Sequence, residues 1–170
     1  MADEAELRRL YDVHANALYA YLLNLTRNES DSHDILQDVF CHVALHHDAV
    51  AKAREERAFL LRMAYNAFVD TTRRRHAREL REQSFAQESV GLFEQAAQAD
   101  EAVFRRELEA AMGELPVEQR SVVHLRLWEE LTFDEIGTLM QIPPDTAASR
   151  YRYGIDKLRD RLRHLYDEIK

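Results

Sequence analysis

The stretch from 130 to 165, ELTFDEIGTLMQIPPDTAASRYRYGIDKLRDRLRHL, contains two helical patterns separated by the adjacent prolines Pro143 and Pro144. Thr132 and Glu135 have the spacing of a capping box, which predicts the start of a short helix. The prolines predict the start of a second, longer helix, because proline is tolerated in the first turn of a helix but not in its interior. A short capped helix, a tight turn and a second helix are typical of a helix-turn-helix unit.

The second helix of this unit is expected to have one buried face and one polar face. Tyr151 and Ile155 belong to an apolar stripe that repeats every three or four residues. The opposite face carries hydrogen-bond donors and acceptors of the kind that read base edges in the DNA major groove. The candidate DNA-contacting residues on this face are Thr146, Ser149, Arg150, Arg152, Tyr153 and Lys157.

Charge is distributed unevenly along the chain. The formal net charge of −8 argues against a protein that coats nucleic acid uniformly, but residues 73–81 and residues 150–163 each carry a net charge of +4. Such charge runs are most often solvated helix faces. Binding of nucleic-acid phosphates is the alternative role for both segments.

Composition predicts an all-α protein. The 170 residues include only four Gly and three Pro, too few for a turn-rich β fold, and 46% are hydrophobic. No apolar run reaches the roughly 20 residues of a membrane helix, and the N-terminus is acidic, so we expect a cytoplasmic protein without membrane insertion. The single cysteine, Cys41, lies in an amphipathic stretch and is expected to be a small core residue.

Hydrophobic periodicity divides the chain into two helical halves. The first half predicts helices over residues 5–27, from Asp31 or Ser32 to near His47, and from about Glu55 to His76. Residues 83–100 are polar and rich in Gln, which favours a linker. We therefore predict two small helical domains, residues 1–82 and 101–170, joined by this linker.

Two blocks of sequence resemble the bacterial sigma factors of the extracytoplasmic-function type. Residues 111–162, AMGELPVEQRSVVHLRLWEELTFDEIGTLMQIPPDTAASRYRYGIDKLRDRL, resemble the domain of that family that reads promoters. Residues 10–46, LYDVHANALYAYLLNLTRNESDSHDILQDVFCHVALH, and residues 59–78, FLLRMAYNAFVDTTRRRHAR, resemble its other domain. The resemblance implies a transcription initiation factor that binds core RNA polymerase and directs it to promoter DNA.

The resemblance also implies roles for individual residues. In this family the second helix docks on the polymerase, and the third recognises and opens the minus-10 promoter element, whereas the helix-turn-helix reads the minus-35 element. The matching polymerase-binding positions are Asp34, Gln37, Asp38 and Phe40, with Phe40 expected to be partly exposed. The matching minus-10 positions are Asn66, Asp70, Arg73, Arg74 and Arg75.

Some of these residues could have a purely structural role, and others depart from the family pattern. Asp70 and Arg74 have the i, i+4 spacing of an ordinary helical ion pair, which would explain the presence of both residues without a role in DNA binding.

The loop from about Asp48 to Glu56 matches the family segment that captures a flipped base. Gln141 stands where a turn glycine is common, and Ala148 stands where a lysine is usual.

The sequence leaves two other functions open. A free-standing helix-turn-helix regulator would share the C-terminal features but would leave the HDILQDVF surface without a role. A metal-dependent phosphohydrolase is suggested by Asp38, His42 and His46 at i, i+4 and i+8, but the remote ligands that such a site needs are not evident. We expect a protein that is not an enzyme, has no cofactor and no metal site, and has an anti-sigma protein among its partners, as family members commonly do.

Overall fold

The computed structural model describes residues 3–80 and 99–168. All regular secondary structure within these ranges is α-helical, which confirms the predicted fold class. Contacts divide the chain into two compact units, residues 1–90 and 91–170, and each is described by itself. The predicted linker lies outside the described residues except for 99 and 100, which already belong to a helix. None of the described helices is long and apolar enough to cross a bilayer.

Within residues 3–80, unit 1 has three long helices and one short helix. The long helices pack pairwise on one another and bury a continuous apolar core. Its elements are α1 (Glu4–Thr26), α2 (Glu29–Leu45), α3 (His47–Ala51) and α4 (Glu56–Glu79). Core side chains include Leu10, Leu18, Tyr21, Leu22, Ile35, Val39, Val43, Val50, Leu60 and Leu61.

Helix α2 begins earlier than the sequence predicted. Its N-cap is Asn28, whose side-chain oxygen accepts a hydrogen bond from the backbone N–H of Asp31 at 2.9 Å. Asp31 and Ser32 therefore lie inside the first turn, and the prediction that one of them caps the helix is wrong. Ser32 is buried, and its hydroxyl donates to the carbonyl of Asn28 at 2.8 Å. A polar run offers several possible caps, and only the backbone conformation decides among them.

Two further expectations for α2 are corrected. Cys41 is exposed, because the buried positions of this helix lie at Ile35, Leu36, Val39, Phe40 and Val43, on the opposite side. The helix ends at Leu45, close to the predicted end near His47, but the five-residue helix α3 follows it where the sequence predicted a loop from about Asp48 to Glu56.

The described part of unit 2, residues 99–168, has one long helix with three others packed against it. Its elements are α5 (Ala99–Glu114), α6 (Val117–Leu127), α7 (Phe133–Met140) and α8 (Pro144–Glu168), and α8 contacts the other three. The core centres on Ala111, Met112, Leu115, Val123 and Leu158. Tyr151 and Ile155 pack against this core, as the apolar stripe of the sequence predicted.

The turn between α7 and α8 is fixed by several local features. The capping box is present, with Thr132 Oγ1 accepting from the backbone N–H of Glu135 and the Glu135 carboxylate accepting from that of Thr132. The C-cap of α7 is Gln141, which adopts the left-handed conformation with φ of 57°. A Cβ on Gly137 would lie 2.7 Å from the carbonyl oxygen of Ile142, so only glycine allows the turn to approach this closely. Pro144 then opens α8.

Candidate nucleic-acid and docking surfaces

The part of α8 from Thr146 to Lys157 presents the predicted DNA-contacting residues away from the core of unit 2. Arg152, Tyr153 and Lys157 are exposed. The guanidinium carbon of Arg152 lies 5.4 Å from the centre of the Tyr153 ring, a cation–π arrangement. Thr146, Ser149 and Arg150 are half-buried at the edge of the same face. The structure thus brings all six candidates to one side of the helix.

The basic segment of α8 divides into two parts with different electrostatic surroundings. Within the described residues, no carboxylate lies within ion-pair distance of Arg150, Arg152 or Lys157. Farther along the helix, Arg159 lies 3.6 Å from Asp156, and Arg163 lies 3.2 Å from Asp160. The cations near the start of α8 are therefore available to an external anion, whereas those farther along are already partly neutralised.

Arg161 has a structural role within unit 2. Its guanidinium contacts the carboxylates of Glu114 at 3.2 Å and Glu107 at 3.4 Å, both on α5. These contacts join the C-terminal half of α8 to α5. The sequence left Arg161 between phosphate binding and solvent exposure; the structure adds these contacts with α5, while 39% of the side chain stays exposed.

Gly154 explains how α8 packs against α6. A Cβ at this buried position would lie 2.8 Å from Cγ2 of Val123, so a larger side chain would push the two helices apart. Position 154 therefore faces the core of the unit. It is not part of the basic face formed by Arg150, Arg152 and Lys157.

The second candidate DNA surface lies on the C-terminal half of α4. Asn66, Asp70, Arg73 and Arg74 are exposed, and within the described residues Asp70 forms no ion pair with Arg74. The ordinary helical ion pair that the spacing allowed is thus not formed in the structure. The carboxylate and the two guanidinium groups all remain open to solvent.

Arg75 differs from its neighbours because it contacts α2. Its Nη2 lies 2.7 Å from Oδ2 of Asp31, which is in the first turn of that helix. The side chain of Arg75 is half-exposed, whereas that of Asp31 is largely covered. The pair fixes the basic end of α4 relative to α2.

The predicted docking surface on α2 has exposed acids and amide, but its aromatic residue is covered. Asp34, Gln37 and Asp38 are exposed. Phe40 is only 8% exposed, so the expectation of a partly exposed aromatic is wrong. Its ring packs edge-on against Tyr11 of α1, with ring centres 4.9 Å apart. Tyr11 is 50% exposed and is therefore the aromatic residue at this edge of the surface.

A network of charges holds the start of α4 against α1. The Arg9 guanidinium donates to both carboxylate oxygens of Glu56, at 2.7 and 3.3 Å, and also to Glu6. The partly buried His14 has Nε2 3.3 Å from Oε2 of Glu56. The hydrogen bond from Arg9, supported by His14, lowers the pKa of Glu56 below its usual value. Glu56 therefore anchors the first turn of α4, directly after the segment that joins it to α3.

The histidines of α2 do not complete an enzyme-like site. Asp38 and His42 lie on α2 and His46 caps its C-terminal end, and no three His, Cys, Asp or Glu side chains in the described ranges converge on one point. A hydrolytic metal centre needs several ligands and a base around one position.

Comparisons with known proteins match both halves of the chain. The sequence model of sigma-70 region 2 matches residues 10–78, and that of sigma-70, region 4, matches residues 111–160. The chain is 30% identical to the ECF RNA polymerase sigma factor SigL of Mycobacterium tuberculosis, over 96% of this chain and 93% of the relative. It is 27% identical to the ECF RNA polymerase sigma factor SigM of Bacillus subtilis, over 93% of each protein.

The fold also resembles that of a solved structure. This is the sigma factor RpoE of Bartonella quintana, crystallised in complex with the anti-sigma factor NepR. The TM-score is 0.78, with 17% sequence identity over 94% of this chain and 96% of the other. At that identity the likeness concerns the fold.

Proposed function

The chain belongs to the extracytoplasmic-function group of sigma-70 factors, the promoter-specificity factors of bacterial RNA polymerase, and from this premise we propose a function for each of its surfaces. Residues 1–82 bind core polymerase and open the minus-10 element, and residues 101–170 read the minus-35 element. Residues 83–100 link the two. Neither a free-standing regulator nor a phosphohydrolase is favoured by the family matches.

The observation that carries this proposal is the division of charge along α8. Arg150, Arg152 and Lys157 have no carboxylate partner within the described residues, whereas Arg161 is held between two acids of α5. The available cations lie beside Thr146, Ser149 and Tyr153, near the N-terminal end that a recognition helix inserts into the major groove. This arrangement supports base-edge and phosphate contacts by the first half of the helix alone.

The proposed minus-10 surface uses the exposed side chains of α4. Asn66 and Asp70 lie one helical turn apart, and each can hydrogen-bond the edge of an unpaired base. Arg73 and Arg74 follow where they can contact phosphates of the opened strand. Arg75, which the family pattern also places at this surface, holds the helix against Asp31 while its neighbours bind DNA.

The proposed polymerase-docking surface consists of Asp34, Gln37 and Asp38, with Tyr11 at its edge. Its carboxylates would meet basic residues of the partner, since complementary charge steers docking and fixes orientation. Phe40 supports this surface from beneath, where its ring contacts Tyr11.

Docking would make two weak DNA surfaces act together. With a net charge of −8, the free chain should bind duplex DNA poorly, because phosphate attraction is restricted to two segments. Polymerase would hold the segments at one separation, so that binding of one raises the effective concentration of the other. This mechanism places the chain in the cytoplasm with the polymerase.

Inhibition by an anti-sigma protein is part of the proposal. The structural relative RpoE was solved with the anti-sigma factor NepR, and its fold matches nearly all of this chain. Such a partner would act by covering the polymerase-docking surface of α2 or one of the two DNA surfaces, on α4 and α8.

Run-off transcription with purified core polymerase tests the function directly. The chain should give transcripts from a subset of a promoter library, and none without core polymerase. Strong, sequence-specific binding to duplex DNA by the chain alone, with no stimulation of transcription, would instead identify a free-standing regulator.

A further inference from the structure

The C-terminal end of α2 carries two histidines that the docking surface does not use. His42 and His46 are both exposed and lie one helical turn apart. The backbone N–H of His46 donates to the carbonyl of His42 at 2.9 Å, so the helical spacing holds through this last turn. Their rings lie side by side, with centres 4.5 Å apart and planes tilted by 45°.

This geometry suits two imidazoles that share one metal ion. Two nitrogens that each lie about 2.0–2.1 Å from an ion are roughly 3.3 Å apart, and the ring centres lie somewhat farther apart than the nitrogens. With the ring centres 4.5 Å apart, rotation of the two side chains can bring one nitrogen of each ring to that spacing without movement of the backbone. Histidines at i and i+4 on a helix provide two of the protein ligands in many zinc sites.

The electrostatic surroundings favour a cation. Helix α2 contains Glu29, Asp31, Asp34 and Asp38 but no Lys or Arg. The C-terminal end of a helix also carries partial negative charge, which stabilises positive charge in the last turn. His47 is not available as a third ligand in this arrangement, because its Nε2 lies 3.2 Å from Oδ1 of Asp48.

We propose that His42 and His46 form a bidentate site for a divalent transition-metal ion of the class that imidazole prefers: Zn²⁺, Ni²⁺ or Cu²⁺. Because no third side chain in the described ranges converges there, water completes the coordination. The site is therefore open and exchangeable, unlike a closed structural zinc site. An ion bound there adds positive charge one helical turn from Asp38.

Calorimetric titration of the full chain tests this site with metal alone. Cys41 is exposed beside His42 and could compete for the ion, so a Cys41→Ser background is used after treatment with chelator. At pH 7.5, NiCl₂ and ZnCl₂ should each bind at one ion per chain. His42→Gln and His46→Gln should each lower the affinity at least about tenfold, since one ligand remains.

A double variant at two other histidines is the control for the loss of histidines in general. His33→Gln with His164→Gln removes two other exposed histidines and leaves the proposed pair intact. It should bind metal as the background protein does. Circular dichroism shows whether each variant retains its helices. We expect that it does, because all the substituted side chains are exposed.

The three variants give distinct outcomes. Affinity that falls in both single variants and is unchanged in the control establishes the pair as the site. No binding by the background protein up to millimolar metal, equal binding by either single variant, or loss of binding in the control each overturns the proposal.

Discussion

Asp31 Oδ2 and Arg75 Nη2 lie 2.7 Å apart and join the first turn of α2 to the C-terminal half of α4. This ion pair connects the helix proposed to dock on polymerase with the helix proposed to open the promoter. Arg75 is the last of three consecutive arginines. Within the described residues, it is the one of the three that forms an ion pair with a carboxylate.

Removal of either partner of this pair should affect promoter opening through the position of α4. Asp31→Ala and Arg75→Ala should each reduce open-complex formation, and the double variant should be no worse than the more defective single variant. The coupling energy should be about 0.3–1 kcal/mol, because the pair is partly exposed. Permanganate reactivity of the minus-10 region in the polymerase complex measures the opening.

Arg73→Ala provides the matched control for this double-mutant cycle. Its effect should add to that of Asp31→Ala, because Arg73 is proposed to contact DNA independently. Additive losses for Asp31→Ala and Arg75→Ala would mean that Arg75 binds DNA and that its contact with Asp31 has no role in positioning.

The division of charge along α8 predicts unequal effects of arginine substitutions. Arg150→Ala with Arg152→Ala should reduce minus-35-dependent transcription at least about tenfold, because a base-reading arginine is worth about 1–3 kcal/mol. Arg159→Ala with Arg163→Ala removes the same charge from the partly neutralised half and should change transcription little. Run-off transcription at equal ionic strength compares them. Equal losses in the two variants would contradict the assignment of the recognition surface.

The docking surface is best tested at exposed positions. Asp34→Ala with Asp38→Ala should weaken binding to core polymerase without loss of stability, because both side chains face solvent. Phe40→Ala should instead destabilise unit 1 by about 3–5 kcal/mol, because it empties a buried aromatic site. Titration with core polymerase, together with chemical denaturation, separates the two effects. A loss of stability in the aspartate variant would show that these acids support the fold.

Gln141 occupies a backbone conformation that favours glycine. Gln141→Gly should stabilise unit 2 by about 0.5–1 kcal/mol. The left-handed region costs a residue with a Cβ about 1–2 kcal/mol, and glycine removes this cost. Part of the gain is lost because glycine has more conformational entropy in the unfolded chain. Thr138→Gly, at an exposed position inside α7, should be destabilising. Thermal unfolding followed by circular dichroism measures both. A lower melting temperature for Gln141→Gly would indicate that the Gln141 side chain makes a contact that stabilises unit 2 by more than the left-handed conformation destabilises it.

The network around Glu56 predicts a pH dependence of stability. Because its pKa is lowered in the folded state, its contribution is fully present above the ordinary glutamate pKa of about 4.3 and is lost as the pH falls toward the lowered value. Glu56→Gln should therefore reduce the free energy of unfolding at pH 7 but have little effect at the acid end. Urea unfolding at pH 7 and at about pH 3 measures the difference. A deficit of the same size at both pH values would exclude the carboxylate charge as its cause.

The parts of the fold that depend on local sequence were predicted well. The capping box at Thr132 marks the start of α7, and the two adjacent prolines mark the start of α8, since each acts within a few residues. Apolar spacing likewise identified the long helices and the buried face of α8, because one face of a helix must be covered by the core.

Several of the features that were missed depend on contacts between distant parts of the chain. The pairs of Asp31 with Arg75 and of Arg9 with Glu56 join residues on different helices, and periodicity does not show which charges meet. Phe40 was expected to be partly exposed, but its burial depends on where Tyr11 of α1 lies. Cys41 was assigned to the core although it falls on the outer side of α2.

We propose that one surface docks on polymerase and another reads the promoter. The most direct test is to measure the affinity for purified core RNA polymerase of three proteins: the unaltered protein, the double variant of α2 and the double variant of α8. We expect Arg150→Ala with Arg152→Ala to bind as tightly as the unaltered protein while its transcription fails, and Asp34→Ala with Asp38→Ala to bind more weakly. Weaker polymerase binding by the α8 variant, with no change in the α2 variant, would show that the two surfaces have been assigned the wrong way round.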